Sequence, residues 1–198
     1  MTYSPTAVEI IPNEQPKILA DASHVRRFQS AVGQLMYLML VTRPDLAYPV
    51  GMLARHTSNP SSNHEKALHH LVGYIQHTRD YTLIFYEPAQ GEDNPGVIQA
   101  LSDADWAGKT HSSRSTTGMV ILKNRSVISW SSKRQGVVLT STMESEYIAL
   151  FNMVQNAIFL NHLERQFKIP TWYVPNIWCN NQSAIAVATG GDMEFRHL

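Results

Sequence analysis

The segment NIWCNNQSAI (residues 176–185) joins an apolar run to two amides and a helix-like pattern. The run ends at Cys179, Asn180 and Asn181 follow it, and residues 182–188 have the composition of a short helix. Open α/β sheets place binding and catalytic groups where a buried strand runs into a helix. The segment therefore predicts an α/β fold with a site at Asn180. Whether that site is built from amides, or is a metal site that has lost a carboxylate, stays open at this point.

Three strand patterns and one long helical pattern precede this segment. The predicted strands are VIQALSDADW (97–106), TTGMVILKN (116–124) and SVISWSS (126–132). A turn at Asn124-Arg125 is expected to join the last two as a hairpin. A helix is predicted over Met143–Phe167, with an apolar stripe of Tyr147, Ile148, Phe151, Val154, Ile158 and Leu163. The second half of the chain is thus predicted to be β-β-β-α-β-α.

Helical periodicity dominates the first half. The stripe of the first predicted helix consists of Val25, Phe28, Val32, Leu35, Met36 and Met39. Thr42 is expected to cap a second helix that has Pro44 and Asp45 in its first turn. A third helix is predicted within residues 61–78, with Ala67, Leu68, Leu71, Val72 and Ile75 on one face. Short connections between these helices predict a compact helical unit.

Domain boundaries follow from changes in these patterns. Residues 1–24 are proline-containing and lack periodicity, which predicts an irregular leader. Residues 25–87 form the predicted helical segment, including a strand expected at YTLIFYE (81–87). The turn-rich residues 88–96 are a predicted junction, and residues 97–198 form the predicted α/β domain.

The composition is that of a globular chain with a substantial core. Of 198 residues, 43% are hydrophobic, and 16 basic residues balance 16 acidic ones. The single cysteine, Cys179, excludes an intrachain disulfide and fits a reducing compartment. No apolar run approaches the roughly 18 residues of a membrane span, and no basic segment leads into an apolar secretory core. We therefore expect an intracellular protein without a membrane partner.

Charge is distributed unevenly along the neutral chain. Residues 96–135 contain two acids, Asp103 and Asp105, and six basic residues, a net charge of +4. The basic residues are Lys109, Arg114, Lys123, Arg125, Lys133 and Arg134. A local excess of this kind favours nucleic-acid binding, although a solvated surface has the same composition.

Histidines in HEKALHH (64–70) suggest a helical zinc motif at first sight. His64 and His69 are five residues apart, whereas that motif needs histidines at i and i+4 so that both rings meet one metal. We therefore interpret the segment as the polar face of the third helix.

Carboxylates form a second candidate cluster. Asp103 and Asp105 end a predicted strand, and Glu144 and Glu146 open the long helix after Thr-Ser-Thr at 140–142. Acids on a strand and on the facing helix can converge on a hard cation, which prefers oxygen ligands. Acids also favour helix N-termini for electrostatic reasons alone, so the pattern is suggestive rather than specific.

Five motifs follow one another along the second half of the chain: SDADWAG (102–108), RSTTGMV (114–120), SWSSKRQ (129–135), STMESEYIAL (141–150) and NNQSAIA (180–186). Their sequences and their order resemble those of the ribonuclease H domain of copia-type retrotransposon polyproteins. Residues 35–55 and 64–78 are similar to the segment that connects reverse transcriptase to ribonuclease H in these proteins. The resemblance covers about residues 26–198. It implies an α/β, ribonuclease H-like mixed sheet preceded by a small helical connection subdomain.

The resemblance also implies a metal site. Members of the family cleave RNA in RNA–DNA hybrids with two Mg²⁺ ions, Mn²⁺ being a possible substitute, held by four acids. Asp103 matches the first acid and Glu146 the second. Asn180 stands where the family pattern has an aspartate, and an asparagine at this place is also expected to cap the helix that follows. The motif of the fourth acid is matched by RHL (196–198), with which the sequence ends. We therefore expect the family's last helix and strand to be missing, and metal binding and cleavage to be weakened or lost.

The secondary candidates for this site are Asp105, Glu144 and His197. The candidates for substrate binding are Arg114, Ser131, Ser132, Lys133 and Arg134. Three hypotheses remain: a ribonuclease H with residual activity, a non-catalytic module that binds hybrid or RNA through phosphates and 2′-hydroxyls, and a decayed copy without function. Other Pol segments are possible partners, and intact members would reside in virus-like particles.

Overall fold

The computed structural model describes residues 19–87, 96–105, 114–169 and 174–189. Contacts divide the chain into a helical unit that ends at Leu83 and a sheet unit that begins at Ile84, apart from a short insertion. Within the described ranges, no helix combines the length and the apolar character that a membrane crossing needs. The leader prediction falls largely on residues 1–18, and both these and His197 lie outside the described residues.

Over residues 19–83, the helical unit contains three α-helices and one 3₁₀ turn. They are α1 (Ala22–Val41), the turn at Pro44–Leu46, α2 (Ala47–Ala54) and α3 (Ser62–His77). Their shared core includes Phe28, Val32, Leu46, Val50, Leu53 and Leu71. The predicted helices are therefore confirmed. Val72 and Met36 are corrections, since both predicted core residues are substantially exposed.

The start of the second helix also differs from the prediction. Thr42 does not cap it, because this residue ends α1, its backbone N–H donating to Leu38 O. Arg43 precedes the 3₁₀ turn instead, and Pro44 occupies the first position of that turn. Proline's fixed φ and missing N–H suit a first turn, which explains its place there.

Arg43 anchors a buried polar network at this turn. Its guanidinium binds both carboxylate oxygens of Asp45 and donates to the backbone oxygen and hydroxyl of Thr78, at 3.1 and 2.7 Å. Tyr74 donates its hydroxyl to Asp45 at 2.8 Å. The network ties the turn after α1 to the end of α3, and it provides partners for a charge that is only 5% exposed.

His64 lies in the core rather than on a polar face, which corrects the interpretation of HEKALHH. The side chain is fully buried, and its Nδ1 accepts the backbone N–H of Ser61 at 2.9 Å, as part of a capping box at the start of α3. Its ring stacks on that of His56, with 3.9 Å between centroids. Burial, followed by the charges of His64 and Arg55, lowers the pKa of His56 to about 4.

Residues 81–87 do not form the predicted strand. They have no regular structure, and Tyr81, Ile84 and Phe85 are exposed. The backbone N–H of Tyr86 donates to the hydroxyl of Ser126 rather than to a neighbouring strand. Alternating apolar residues favour a strand, but a strand forms only where a partner completes its hydrogen bonds.

The sheet unit has the predicted order of elements. They are β1 (Ile98–Asp105), β2 (Thr116–Lys123), β3 (Ser126–Arg134), α4 (Thr142–Gln166), β4 (Asn176–Cys179) and α5 (Gln182–Thr189). The strands form one sheet in the order β3-β2-β1-β4, with β1 antiparallel to β2 and parallel to β4. This mixed sheet, preceded by helices, confirms the predicted α/β class and agrees with a ribonuclease H-like fold.

The hairpin between β2 and β3 has the predicted tip. Asn124 and Arg125 have φ values of 49° and 63°. Two consecutive left-handed residues define the tight turn whose twist matches antiparallel strands. A β-bulge between Ile121 and Leu122 then shifts the register of the pair.

The buried face of α4 differs from the predicted stripe. Tyr147, Phe151 and Ile158 are 39%, 53% and 49% exposed. The buried residues are Ser145, Glu146, Ala149, Leu150, Met153, Ala157 and Glu164. Small side chains let the helix approach the sheet closely, and the larger Tyr147 and Phe151 instead line a cavity of about 270 Å³ beside β4 and α5.

Candidate functional site

The carboxyl ends of β1 and β4 bring Asp103 and Asn180 together. In the parallel pair, Ser102 is opposite Cys179, so the next residue of each strand lies at the same edge. The Asn180 amide nitrogen donates to Asp103 Oδ1 at 3.3 Å, across 77 residues of sequence. Both residues are exposed. The edge where open sheets place their sites thus carries one carboxylate joined to one amide.

Asn180 is available for this contact because its neighbour caps the helix. The cap of α5 is Asn181 rather than Asn180, since the Asn181 Oδ1 accepts the N–H of Ala184 at 2.9 Å. The capping interpretation of Asn180 is therefore wrong. One asparagine starts the helix, and the other faces the carboxylate.

Glu146 reaches the same edge from the first turns of α4. Its carboxyl is buried, and Oε2 has no hydrogen-bond partner among the described residues. Burial and the adjacent charge of Asp103 raise the pKa of Glu146 to about 7, against a smaller opposite effect of the Ala104 N–H. A buried carboxyl therefore lies beside an exposed one. Their role as metal ligands remains a prediction.

The described secondary candidates have other surroundings. The Glu144 carboxylate accepts the backbone N–H and the hydroxyl of Thr140, both at 3.0 Å, while its own N–H donates to Ser141. These contacts with Thr140 lower the pKa of Glu144. Glu144 thus belongs to the cap of α4. Asp105 is the exposed last residue of β1, opposite Thr116 of β2.

The predicted substrate-binding residues lie at the same end of the sheet. Asp105 is opposite Thr116, which is opposite Arg134 on β3, and Gly118 lies between Asp103 and Ser132. Neighbouring strands are about 4.8 Å apart, so β3 is about 10 Å from β1. Arg114 and Lys133 are exposed, whereas Arg134, Ser131 and Ser132 are half-buried. The acidic edge is therefore flanked by a basic one.

Sequence reasoning missed Gln135, which positions α4. Its buried side-chain amide donates to Thr117 Oγ1 at 3.0 Å and to Ser145 O at 2.9 Å, and its backbone N–H donates to Ser115 O. Gln135 thereby connects β2 to the turn of α4 that carries Glu146. A glutamine directly after two basic strand residues gives no signal of this role in the sequence.

The donor set can be compared with the two Mg²⁺ ions that the resemblance implies. Each ion prefers six oxygen ligands, and two neighbouring dications need several full negative charges. Asp103 and Glu146 supply two carboxylates, and the amide nitrogen of Asn180 faces one of them. The described residues contain no group of three histidine, cysteine or acidic side chains suited to a metal. The site as described does not fit two ions.

No family model matches the chain, and no solved structure matches it. It is 42% identical over 141 residues to "Secreted RxLR effector protein 161" of Plasmopara viticola, covering 71% of this chain and 96% of that protein. It is 36% identical over 159 residues to the "Retrovirus-related Pol polyprotein from transposon TNT 1-94" of Nicotiana tabacum, and 34% identical over 157 residues to that from transposon RE2 of Arabidopsis thaliana.

These polyproteins are much longer than the matched segment. The matches cover 80% and 79% of this chain but only 11% and 10% of the two polyproteins. The resemblance noted in the ordered motifs is thus confirmed by similarity along most of the chain. Most of the chain is therefore similar to one segment of copia-type retrotransposon Pol polyproteins.

Proposed function

We propose that the sheet unit is a ribonuclease H-like module that binds RNA–DNA hybrids and cleaves them weakly or not at all. One observation carries the proposal: a carboxylate–amide site and a basic edge lie at the same end of one sheet. The carboxylate–amide site would determine cleavage, and the basic edge would bind the substrate.

The basic edge supports the binding half of the proposal. Arg114 and Lys133 are exposed, and Arg134 is opposite Thr116 at the end of β3. Cations at this position can contact phosphates about 10 Å from the acidic edge, two strand spacings away. The hydroxyls of Ser131 and Ser132 can add contacts to phosphates or to 2′-hydroxyls, which distinguish RNA from DNA.

The amide at position 180 supports the catalytic half. Two-metal hydrolysis needs ions that clamp both the attacking and the leaving oxygen. Asp103 and Glu146 would hold Mg²⁺ or Mn²⁺ weakly, because two carboxylates offset only part of the charge of two dications. An asparagine supplies a dipole where the family pattern has a full negative charge. We therefore expect binding to be retained and cleavage to be lost or strongly impaired.

Hybrid binding as a function of salt tests the first half. Each phosphate contact releases counterions, so affinity should fall steeply as salt rises. Lys133→Glu with Arg134→Glu should lower affinity about tenfold or more at low salt and flatten the salt dependence by roughly two contacts. Arg26→Glu with Lys66→Glu makes the same charge change at exposed positions of the helical unit and should alter affinity little. Absence of hybrid binding by the wild type at low salt would remove the proposal in favour of a decayed copy.

Cleavage of a labelled hybrid in Mg²⁺ or Mn²⁺ tests the second half. The wild type should stay near the background defined by Asp103→Asn. Robust cleavage by the wild type that Asp103→Asn abolishes would mean that Asn180 does not impair catalysis, and the chain would then be an active ribonuclease H.

A further inference from the structure

The contact of Asn180 with Asp103 has a consequence for folding without metal. In this structure the Asn180 amide nitrogen donates to Asp103 Oδ1 at 3.3 Å. An amide N–H carries partial positive charge, so the contact offsets part of the Asp103 charge. An aspartate at position 180 would instead bring a second carboxylate against Asp103, because the two positions directly follow Ser102 and Cys179, the last residues that pair between β1 and β4.

Glu146 makes the number of charges at this edge important. Its side chain is 7% exposed, and its Oε2 has no hydrogen-bond partner among the described residues. Like charges close together repel one another, and most strongly where one of them is buried. A third carboxylate at position 180 would therefore need a cation to offset it, whereas an amide would not.

We propose that the Asn180 amide takes the place of a cation, so that the site folds in a stable form without Mg²⁺. Asn180 is then a positioning residue for Asp103 rather than a remnant without function. The proposal concerns the same site as the proposed function, but it does not depend on hybrid binding. A chain that binds no nucleic acid could still have this property.

The two asparagines after β4 provide a matched pair of variants. Asn180→Asp places a new charge against Asp103, whereas Asn181→Asp places the same charge at the cap of α5. Aspartate is as good a cap as asparagine, and a helix N-terminus favours negative charge. Only the first variant should therefore acquire a need for metal.

Thermal unfolding of the full chain in EDTA and in Mg²⁺ or Mn²⁺ tests the proposal, with amide hydrogen exchange of β1 and β4 as the local measurement. The wild type and Asn181→Asp should have the same Tm in all three conditions. Asn180→Asp should unfold about 3 °C or more lower in EDTA and regain that loss with metal. Asn180→Ala should lose stability without regaining it, because it lacks both the amide and the charge.

Two results would overturn the proposal. One is a wild-type Tm that rises with Mg²⁺ by several degrees, since the site would then need a cation despite Asn180. The other is an Asn180→Asp chain as stable as the wild type in EDTA. Should Asn180→Asp fail to fold, the wild-type measurement and Asn180→Ala still decide, because an alanine variant as stable as the wild type would show that the amide contributes nothing.

Discussion

Arg43 in the helical unit and Glu146 in the sheet unit are buried charged residues with opposite surroundings. In the helical unit, the Arg43 guanidinium meets the Asp45 carboxylate and two oxygen atoms of Thr78. In the sheet unit, the Glu146 carboxyl faces a like charge on Asp103 and leaves one oxygen without a partner among the described residues. A buried ion pair stabilises a fold, whereas a buried carboxyl next to a like charge is typical of functional sites. The comparison indicates a structural role for Arg43 and a functional role for Glu146.

Removal of Arg43 should have the largest effect. In Arg43→Ala, the Asp45 carboxylate loses its ion pair and keeps the hydrogen bond from the Tyr74 hydroxyl. The two Thr78 oxygens lose the hydrogen bonds that Arg43 donates. Breaking a buried pair typically costs about 3 kcal/mol or more. Urea unfolding with hydrogen exchange of α1 and α3 should show this loss in the helical unit. Arg27→Ala, at an exposed position of α1, should change stability by less than about 0.5 kcal/mol. A similarly small change in stability for Arg43→Ala would show that the Arg43 network does not stabilise the helical unit.

Acidification should lower the stability of the helical unit and raise that of the sheet unit. The folded pKa of His56 is about 4, against 6.5 for the free side chain. The unfolded helical unit therefore binds the extra proton first, and its stability should be constant above pH 6.5 and decrease towards pH 4. The loss should be at most about 3 kcal/mol. Urea titrations at pH 7 and 4.5 measure it, and His56→Gln should remove most of the difference. A pH-independent helical unit would contradict the burial of the stacked rings.

Neutralising Glu146 should have a smaller and opposite effect. Its folded pKa of about 7 exceeds the usual 4.5, so its contribution is favourable at low pH and lost as pH rises through 7. Glu146→Gln should therefore stabilise the sheet unit at pH 8, by an amount that the pKa shift limits to about 3 kcal/mol and that the cost of burying the new amide reduces, and it should have little effect at pH 4. Denaturant unfolding at the two pH values is the measurement, with Glu144→Gln as a control for charge on the same helix. Destabilisation by Glu146→Gln at pH 8 would show that the like-charge contact is not strained.

Much of the fold could be predicted from local patterns. The strand Asn176–Cys179 and the hairpin tip at Asn124-Arg125 agree with the structure, since apolar alternation and turn chemistry act over few residues. The buried face of α4 could not be predicted, because the prediction selected the largest apolar side chains of the helix, and several of these are exposed. Ala149 and Ala157 face the sheet and Phe151 does not, and only the close approach of helix and sheet decides between them.

Sequence patterns predict which residues lie at the candidate site, but they do not predict the side-chain contacts of those residues. Asp103, Glu146 and Asn180 were found through ordered motifs, and the structure brings them to one edge. Which asparagine caps α5, and that Gln135 connects β2 to α4, depends on side-chain geometry across distant segments. No spacing along the chain encodes such contacts.

The short parallel pairing of β1 with β4 has a kinetic consequence. Residues 99–102 pair with residues 176–179, whereas β2 and β3 meet through a two-residue turn. Contacts between distant segments form late, because closing the intervening loop costs entropy before any pairing repays it. With only four residues in β4, this pairing should be the last step of sheet assembly and the first to open. The Asp103–Asn180 edge would then exist only in the fully folded chain, while the hairpin could persist without it.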